Sequence, residues 1–136
     1  MPTIHYRAGY KYQLSQNYLS EIPLHPPLNI NSDFISLGTN GELSIWSGYA
    51  WDGPSGIAFD TKTFMRASLV HDALYQLIRE QRLDETYKDA ADSLMRTIAI
   101  EDGMSAMRAG WCYRAVQKFG HSSATAGNTK PVLEAP

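Results

Sequence analysis

The sequence predicts an α+β fold, a small N-terminal antiparallel β meander packed on a three-helix C-terminal half. Up to about residue 60, apolar residues alternate with polar ones or flank glycine-rich turns, which is typical of strands. From about residue 62, apolar residues recur at the spacing of an amphipathic helix. Strands therefore precede helices along the chain, and this order favours α+β over an alternating α/β architecture.

Turn residues divide the strand region. Residues 10–14 alternate between apolar and polar side chains, which predicts a half-buried strand. The Asn-Gly pair at 40–41 lies between the apolar runs 34–37 and 43–46. This pair adopts the left-handed conformations of tight turns readily and therefore predicts a β-hairpin. The stretch 48–56 is rich in glycine and is predicted to be a loop.

Three helices are predicted in the C-terminal half. The first begins near residue 62 and ends at the charged run 79–83. Asp84 is the predicted N-cap of the second helix, and Gly103 is predicted to terminate it. The third helix should cover about residues 105–119 and end at Gly120.

Length and composition limit the classes of protein to consider. The 136 residues fit one domain, expected over 1–120, followed by a polar, flexible tail at 121–136. The net charge of −2 with scattered lysines and arginines favours no nucleic-acid partner. The single cysteine, Cys112, excludes an internal disulfide framework and a multi-cysteine zinc site. The absence of a long apolar run or leader pattern predicts cytoplasmic synthesis and no membrane span.

His71 is the most informative candidate residue. It lies on the predicted apolar face of the first helix, where an imidazole needs a polar partner. If the first two helices form an antiparallel hairpin turning at residues 81–82, Asp92 lies level with His71. The Asp92 carboxylate can then bind one ring nitrogen and leave the other available as a base or a ligand. Tyr75 shares this face and is a supporting residue.

Further carboxylates, those of Asp72, Asp52 and Asp60, are expected near His71. Asp72 points about 100° away from His71 around the helix axis, toward the loop that contains Asp52. Such a set can activate water or hold a divalent cation, either calcium or zinc. The alternative is a buried histidine satisfied by Asp92 in a polar network that only stabilises the fold. Both interpretations stay open from the residues alone.

Other residues point less directly to chemistry. Ser55 can serve as a nucleophile, but its turn-rich surroundings favour a hydroxyl that caps a turn. We expect Arg66 to neutralise the carboxylates near His71 rather than to bind an anion. Trp46, Trp51 and Trp111 can line a pocket for a sugar or an apolar group, but packing in a core or an interface is favoured.

Motifs spread over residues 48–120 carry a family resemblance. They are the loop Asp52-Gly53-Pro54-Ser55, the helical run His71-Asp72-Ala73-Leu74-Tyr75, the pair Ala91-Asp92, and the closing Phe119-Gly120. Together they resemble an uncharacterised family found mostly in bacteriophages and prophages, catalogued as domain of unknown function 1353. The resemblance implies a phage or prophage origin and therefore synthesis in a bacterial host cytoplasm. A place in the virion stays open, as does the choice of partner between other phage structural proteins and a bacterial envelope component. The resemblance implies no activity.

The His-Asp-x-x-Tyr helix carries a second, fainter resemblance. Calcium-dependent secreted phospholipases also place a glycine-rich loop before such a helix, and an aspartate of the antiparallel partner helix orients the histidine. The resemblance implies that His71 is the base and Asp92 its orienting residue. It further implies that Asp72 binds calcium together with loop carbonyls near Gly53 and Gly56.

Two functional hypotheses follow. The first is a small hydrolase in which His71, oriented by Asp92, activates water to cleave an ester or amide of a bacterial envelope component. Asp72 and Asp52 are its candidate ligands for a divalent metal. The second is a non-catalytic virion or tail accessory, or a host-interaction protein, in which the same residues only hold the helices to the loop.

Overall fold

A computed structural model describes residues 4, 6–7, 12–51 and 61–124. They belong to two compact units, one that contains the strands and one that contains the helices. The predicted α+β class is confirmed, because antiparallel strands occupy the N-terminal half and three α-helices the C-terminal half. The loop residues 52–60 and the last residues of the predicted tail, 125–136, lie outside the described residues.

Short antiparallel strands make up the first unit. They are β1 (Tyr6–Arg7), β2 (Tyr12–Leu14), β3 (Tyr18–Glu21), β4 (Ile30–Asn31), β5 (Ile35–Leu37), β6 (Glu42–Ile45) and β7 (Ala50–Trp51). One sheet has the order β1-β2-β7 and the other the order β3-β6-β5-β4. Strands β4, β5 and β6 form the expected meander. Alternate side chains of β5 and β6 are buried, which gives this unit its apolar core.

The hairpin predicted from the Asn-Gly pair is confirmed. Strands β5 and β6 pair with Leu37 opposite Leu43, and Gly41 has a φ of +88° in the turn between them. A Cβ atom at position 41 would also collide with the carbonyl oxygen of Ile22. Glycine is therefore required here for both its backbone conformation and its lack of a side chain.

The prediction of a continuous loop over 48–56 is wrong at Ala50 and Trp51. These two residues form β7 and pair with β2, with Tyr12 opposite Trp51. A two-residue strand between glycines shows no alternation, and its pairing partner lies far away in sequence. Local pattern therefore gave no signal for it.

The second unit consists of helices α1 (Thr61–Arg79), α2 (Lys88–Glu101) and α3 (Ala106–Ala124). Asp84 accepts a hydrogen bond from the Thr86 N–H and caps a short 3₁₀ helix that leads directly into α2. It therefore acts as a cap, although one turn earlier than predicted. Helix α3 continues past Gly120 to Ala124, so its predicted end is wrong. A single glycine weakens a helix without necessarily ending it.

Helices α1 and α2 run antiparallel, as the hairpin hypothesis requires. Arg66 near the start of α1 contacts Asp102 at the end of α2, while His71 contacts Asp92 farther along the pair. The connection leaves α1 through Gln81, whose φ of +62° places it in the left-handed region. None of the helices in the described part of the chain is long and apolar enough to cross a membrane.

Candidate functional site

The contact predicted between His71 and Asp92 is present. The Nε2 atom of His71 lies 2.7 Å from Oδ1 of Asp92, and both side chains are buried. Helix α1 supplies the histidine on its apolar face, and α2 presents the carboxylate at the same level. The antiparallel register therefore brings together two residues that are 21 positions apart in sequence.

Asp92 is the centre of a network that involves all three helices. Besides His71, the Tyr75 hydroxyl donates to Oδ1 at 2.5 Å. Oδ2 accepts from the Lys88 ammonium at 3.2 Å and from the Gln117 amide at 2.5 Å. A fully buried carboxylate is costly unless its oxygens are well satisfied, and here each oxygen has two donors.

These donors keep Asp92 ionised. Burial alone would raise its pKa, but hydrogen bonds from His71 and Tyr75 and the charges of His71 and Lys88 lower it below the ordinary 3.8. An ionised carboxylate only accepts hydrogen bonds, so Nε2 of His71 must carry its proton. The tautomer of a neutral His71 is thereby fixed, with the lone pair on Nδ1.

The second ring nitrogen of His71 faces a different carboxylate. Nδ1 lies 3.9 Å from Oδ1 of Asp72, whose side chain is 34% exposed. Burial would lower the pKa of His71, but Asp72 and Asp92 outweigh it and raise the pKa above the ordinary 6.5. The imidazole is therefore a proton acceptor placed between one fully buried and one partly exposed carboxylate.

Tyr75 supports the histidine as well as the carboxylate. Its ring lies 4.1 Å from the His71 ring, centroid to centroid. Burial and the Asp92 carboxylate raise its pKa far above the ordinary value, so it remains a neutral hydroxyl donor. It can hold Asp92 in place but cannot serve as a base at physiological pH.

The structure leaves part of the predicted site untested. Asp52 and Ser55 lie outside the described residues. Within residues 12–51 and 61–124, no group of three or more His, Cys, Asp or Glu side chains could hold a metal ion. Asp72 is thus the only described residue of the predicted metal site, and that prediction stays a prediction.

Arg66 binds carboxylates that were not among its expected partners. Its buried guanidinium makes a two-pronged contact with Asp102, with Nε and Nη2 each 3.0 Å from a carboxylate oxygen. Nη2 also lies 3.0 Å from Oε1 of Glu101. Arg66 therefore neutralises the carboxylates at the end of α2, whereas Asp52 and Asp60, which belong to the expected carboxylate cluster, lie outside the described residues.

Two members of the network were not predicted as site residues. Lys88 precedes Asp92 by one helical turn, and this i,i+4 spacing was a signal that could have identified it. Gln117 comes from α3, whose register against α2 cannot be read from the α1–α2 hairpin. A glutamine on a helix gives no local sign that it reaches a buried carboxylate.

No family model, curated protein or solved structure matches this chain. The resemblances to the phage family and to the phospholipases therefore stay predictions. The proposed chemistry therefore depends on the geometry of the site, and the proposed phage origin depends on the sequence resemblance.

Proposed function

We propose that this chain is a small hydrolase of phage or prophage type that uses His71 to activate water. The observation that carries the proposal is the unequal environment of the two ring nitrogens. Nε2 is held at 2.7 Å by the buried Asp92, whereas the partly exposed Asp72 lies 3.9 Å from Nδ1. A base needs this combination of one fixed and one available nitrogen.

The reaction follows from that arrangement. Nδ1 of neutral His71 takes a proton from a water molecule, whose oxygen attacks the carbonyl carbon of an ester or amide. Asp92 stabilises the imidazolium that forms, and Tyr75, Lys88 and Gln117 keep the carboxylate in place. The protonated Nδ1 then returns its proton to the leaving group as the carbon–heteroatom bond breaks. An ester or amide of the bacterial envelope is the proposed substrate class.

Among the described residues, Asp72 is the one proposed ligand for a divalent cation. One described carboxylate is too few ligands for calcium or zinc, so the described residues alone do not make a metal site. Asp52 and the loop carbonyls near Gly53 and Gly56 are the proposed additional ligands. When bound, such a cation would polarise the substrate carbonyl and stabilise the negative charge that develops on its oxygen.

One observation favours the non-catalytic alternative. Asp92 accepts hydrogen bonds from four residues on three helices, which is more than orientation of one histidine requires. Such a network can serve to fix the helices of a virion or tail accessory protein, or of a host-interaction protein. In that function His71 stabilises the fold and no substrate is turned over.

Comparison of two histidine variants tests the proposal. We expect the wild-type chain to hydrolyse p-nitrophenyl esters or purified peptidoglycan, and His71→Asn to lose the activity. His25→Asn is the matched control, because His25 is exposed and belongs to the strand unit. The rate should rise with pH through a pKa above 6.5, because only neutral His71 can accept a proton. Circular dichroism confirms that each variant is folded.

The alternative gives a different result. If His71 is only structural, His71→Asn lowers the melting temperature while every probe remains uncleaved by both proteins. Calcium and zinc titrations of the wild type and Asp72→Asn test the metal separately. A rise in melting temperature that Asp72→Asn abolishes supports the cation, and an equal response of the two proteins contradicts it.

A further inference from the structure

Helix α3 carries an exposed stripe of apolar and basic side chains. Met107 and Trp111 are 84% and 53% exposed, and Arg114 and Lys118 are also exposed. All four lie within about 60° of one another around the helix axis and extend over about 16 Å. We call these residues the basic stripe. Its N-terminal half is apolar and its C-terminal half is cationic.

The outer face of strands β3 and β6 has a similar layout with the opposite charge. Leu19 is 59% exposed and Trp46, directly after β6, is 37% exposed. Glu21 and Glu42 are cross-strand partners and are both exposed. These four residues, which we call the acidic face, extend over about 14 Å along β6. The face also has an apolar half and a charged half.

The sequence around each surface has only one sign of charge. From Tyr12 to Trp51 there are three carboxylates and no lysine or arginine. From Gly103 to Ala124 there are three lysine or arginine residues and no carboxylate. Like-charged glutamates placed directly opposite each other also destabilise a sheet. The Glu21–Glu42 pair is therefore better explained by an external cationic partner than by the stability of the strand unit.

We propose that the chain associates head to tail, with the basic stripe of one copy bound to the acidic face of another. When the stripe and the face are placed side by side, their apolar halves lie against each other. Each cation of the stripe then lies beside a carboxylate of the face. The inference is independent of the proposed hydrolase, since neither surface includes His71 or its partners. A contact of this kind joins two different surfaces, so an open assembly keeps one unoccupied surface at each end. Further copies can add there to form a chain, or the two ends can join to close a ring.

Other occupants fit less well. Pairing of two basic stripes would bring four cations together, and pairing of two acidic faces would bring four carboxylates together. An anionic membrane would complement the stripe but would give the acidic face no cationic partner. A second copy is the one partner that supplies the complement of both surfaces. Trp, Met and Arg are also residue types enriched in protein interfaces.

Sedimentation velocity of charge-reversed variants tests the proposal. Both surfaces are small, so association should become visible between about 10 µM and about 1 mM and weaken with added salt. The sheet-reversed variant combines Glu21→Lys with Glu42→Lys, and the helix-reversed variant combines Arg114→Glu with Lys118→Glu. We expect each variant alone to associate at least about tenfold more weakly than the wild type, because its two surfaces then carry charges of the same sign.

Mixing the two variants is the decisive step. Both pairs of facing surfaces are then complementary again, so the equimolar mixture should recover the association of the wild type. The control variant combines Asp33→Lys with Arg108→Glu, which changes charges in the same segments but outside both surfaces. It should associate like the wild type.

Three outcomes would overturn the proposal: a wild type that stays monomeric at all these concentrations, reversed variants that still associate, or a mixture that stays monomeric. A monomeric wild type that sediments with phosphatidylglycerol vesicles, but not with phosphatidylcholine vesicles, would assign the basic stripe to a membrane instead. Five of the six substituted side chains are exposed and Arg108 is partly buried, so circular dichroism should confirm that every variant folds.

Discussion

Two polar clusters join α1 to α2, and the buried charges at their centres have opposite signs. In one, the buried anion Asp92 is surrounded by donors from three helices. In the other, the buried cation Arg66 contacts the carboxylates of Glu101 and Asp102, which are partly exposed to solvent. Arginine keeps its charge at any physiological pH, whereas His71 is a titratable group whose pKa is raised above the ordinary 6.5 by Asp72 and Asp92 against the opposing effect of burial.

This difference distinguishes a cluster that stabilises the helix pair from one that is also suited to proton transfer. The Arg66 cluster is built on a guanidinium, which is not a group that exchanges protons at physiological pH, so we expect it to hold the helices together. The Asp92 cluster contains such a group and orients it by its Nε2 atom. Both clusters contribute to stability, but only the second is suited to proton transfer.

Removal of Asp92 should have the largest effect. Asp92→Ala leaves His71 and Lys88 without their buried partner, and we expect a loss of about 3–5 kcal/mol in the free energy of unfolding. Urea denaturation measures it. Asp89→Ala is the matched control one turn earlier on α2, where the side chain is exposed and accepts a hydrogen bond from the Gln117 amide at 3.2 Å. A loss no greater than that of the control would contradict the central position of Asp92.

Removal of Arg66 should have a smaller effect. After Arg66→Met, solvent can hydrate Glu101 and Asp102, so we expect a loss of about 1–3 kcal/mol in the free energy of unfolding. Arg82→Met is the control, because its ion pair with Glu80 is exposed and should contribute little. The comparison of the clusters fails if Arg66→Met proves as damaging as Asp92→Ala.

Removal of one hydroxyl should have a still smaller effect. Tyr75→Phe deletes a single donor to Asp92 and should cost about 1 kcal/mol of unfolding free energy. The carboxylate then interacts more strongly with its remaining partners, so the pKa of His71 should rise further. NMR titration of the imidazole measures this shift. An unchanged or lower pKa would show that Tyr75 does not modulate the pair.

The smallest effect should appear in the dependence of stability on pH. Because folding raises the pKa of His71, its stabilising contribution is complete below about pH 6.5 and is lost as the pH rises through the folded-state pKa. His71→Gln should remove this decline in unfolding free energy, whereas Arg66→Met should keep it. Equal pH profiles for wild type and His71→Gln would exclude His71 as the titrating group.

The site was predictable where it depends on two consecutive helices. A short connection fixes the register of an antiparallel pair, so His71 and Asp92 could be placed side by side by their positions in the sequence. The same register brings Lys88 over the Tyr75 ring, with 6.0 Å from Nζ to the ring centroid. Sequence reasoning failed for Gln117, because the position of α3 depends on packing rather than on a turn.

Charge alone was a poor guide to partners. Arg66 lies more than a turn before His71, and in an antiparallel pair that shift moves its partner toward the end of α2. Glu101 and Asp102 lie at that end of α2, and their carboxylates accept hydrogen bonds from Arg66. Strand β7 escaped prediction for a related reason, since a strand of two residues is defined by its distant partner and not by its own pattern.

The hydrogen bond from Gln117 to Asp92 gives α3 an influence on the interior that its exposed surface does not suggest. If the C-terminal end of α3 unfolds as far as Gln117, Oδ2 of the buried Asp92 loses a hydrogen-bond donor. The resulting destabilisation of Asp92 also affects His71, which it binds. Detachment of the last helix and loosening of the histidine should therefore occur in one cooperative step. Hydrogen exchange would then report matching opening free energies for the amides around Gln117 and those around His71.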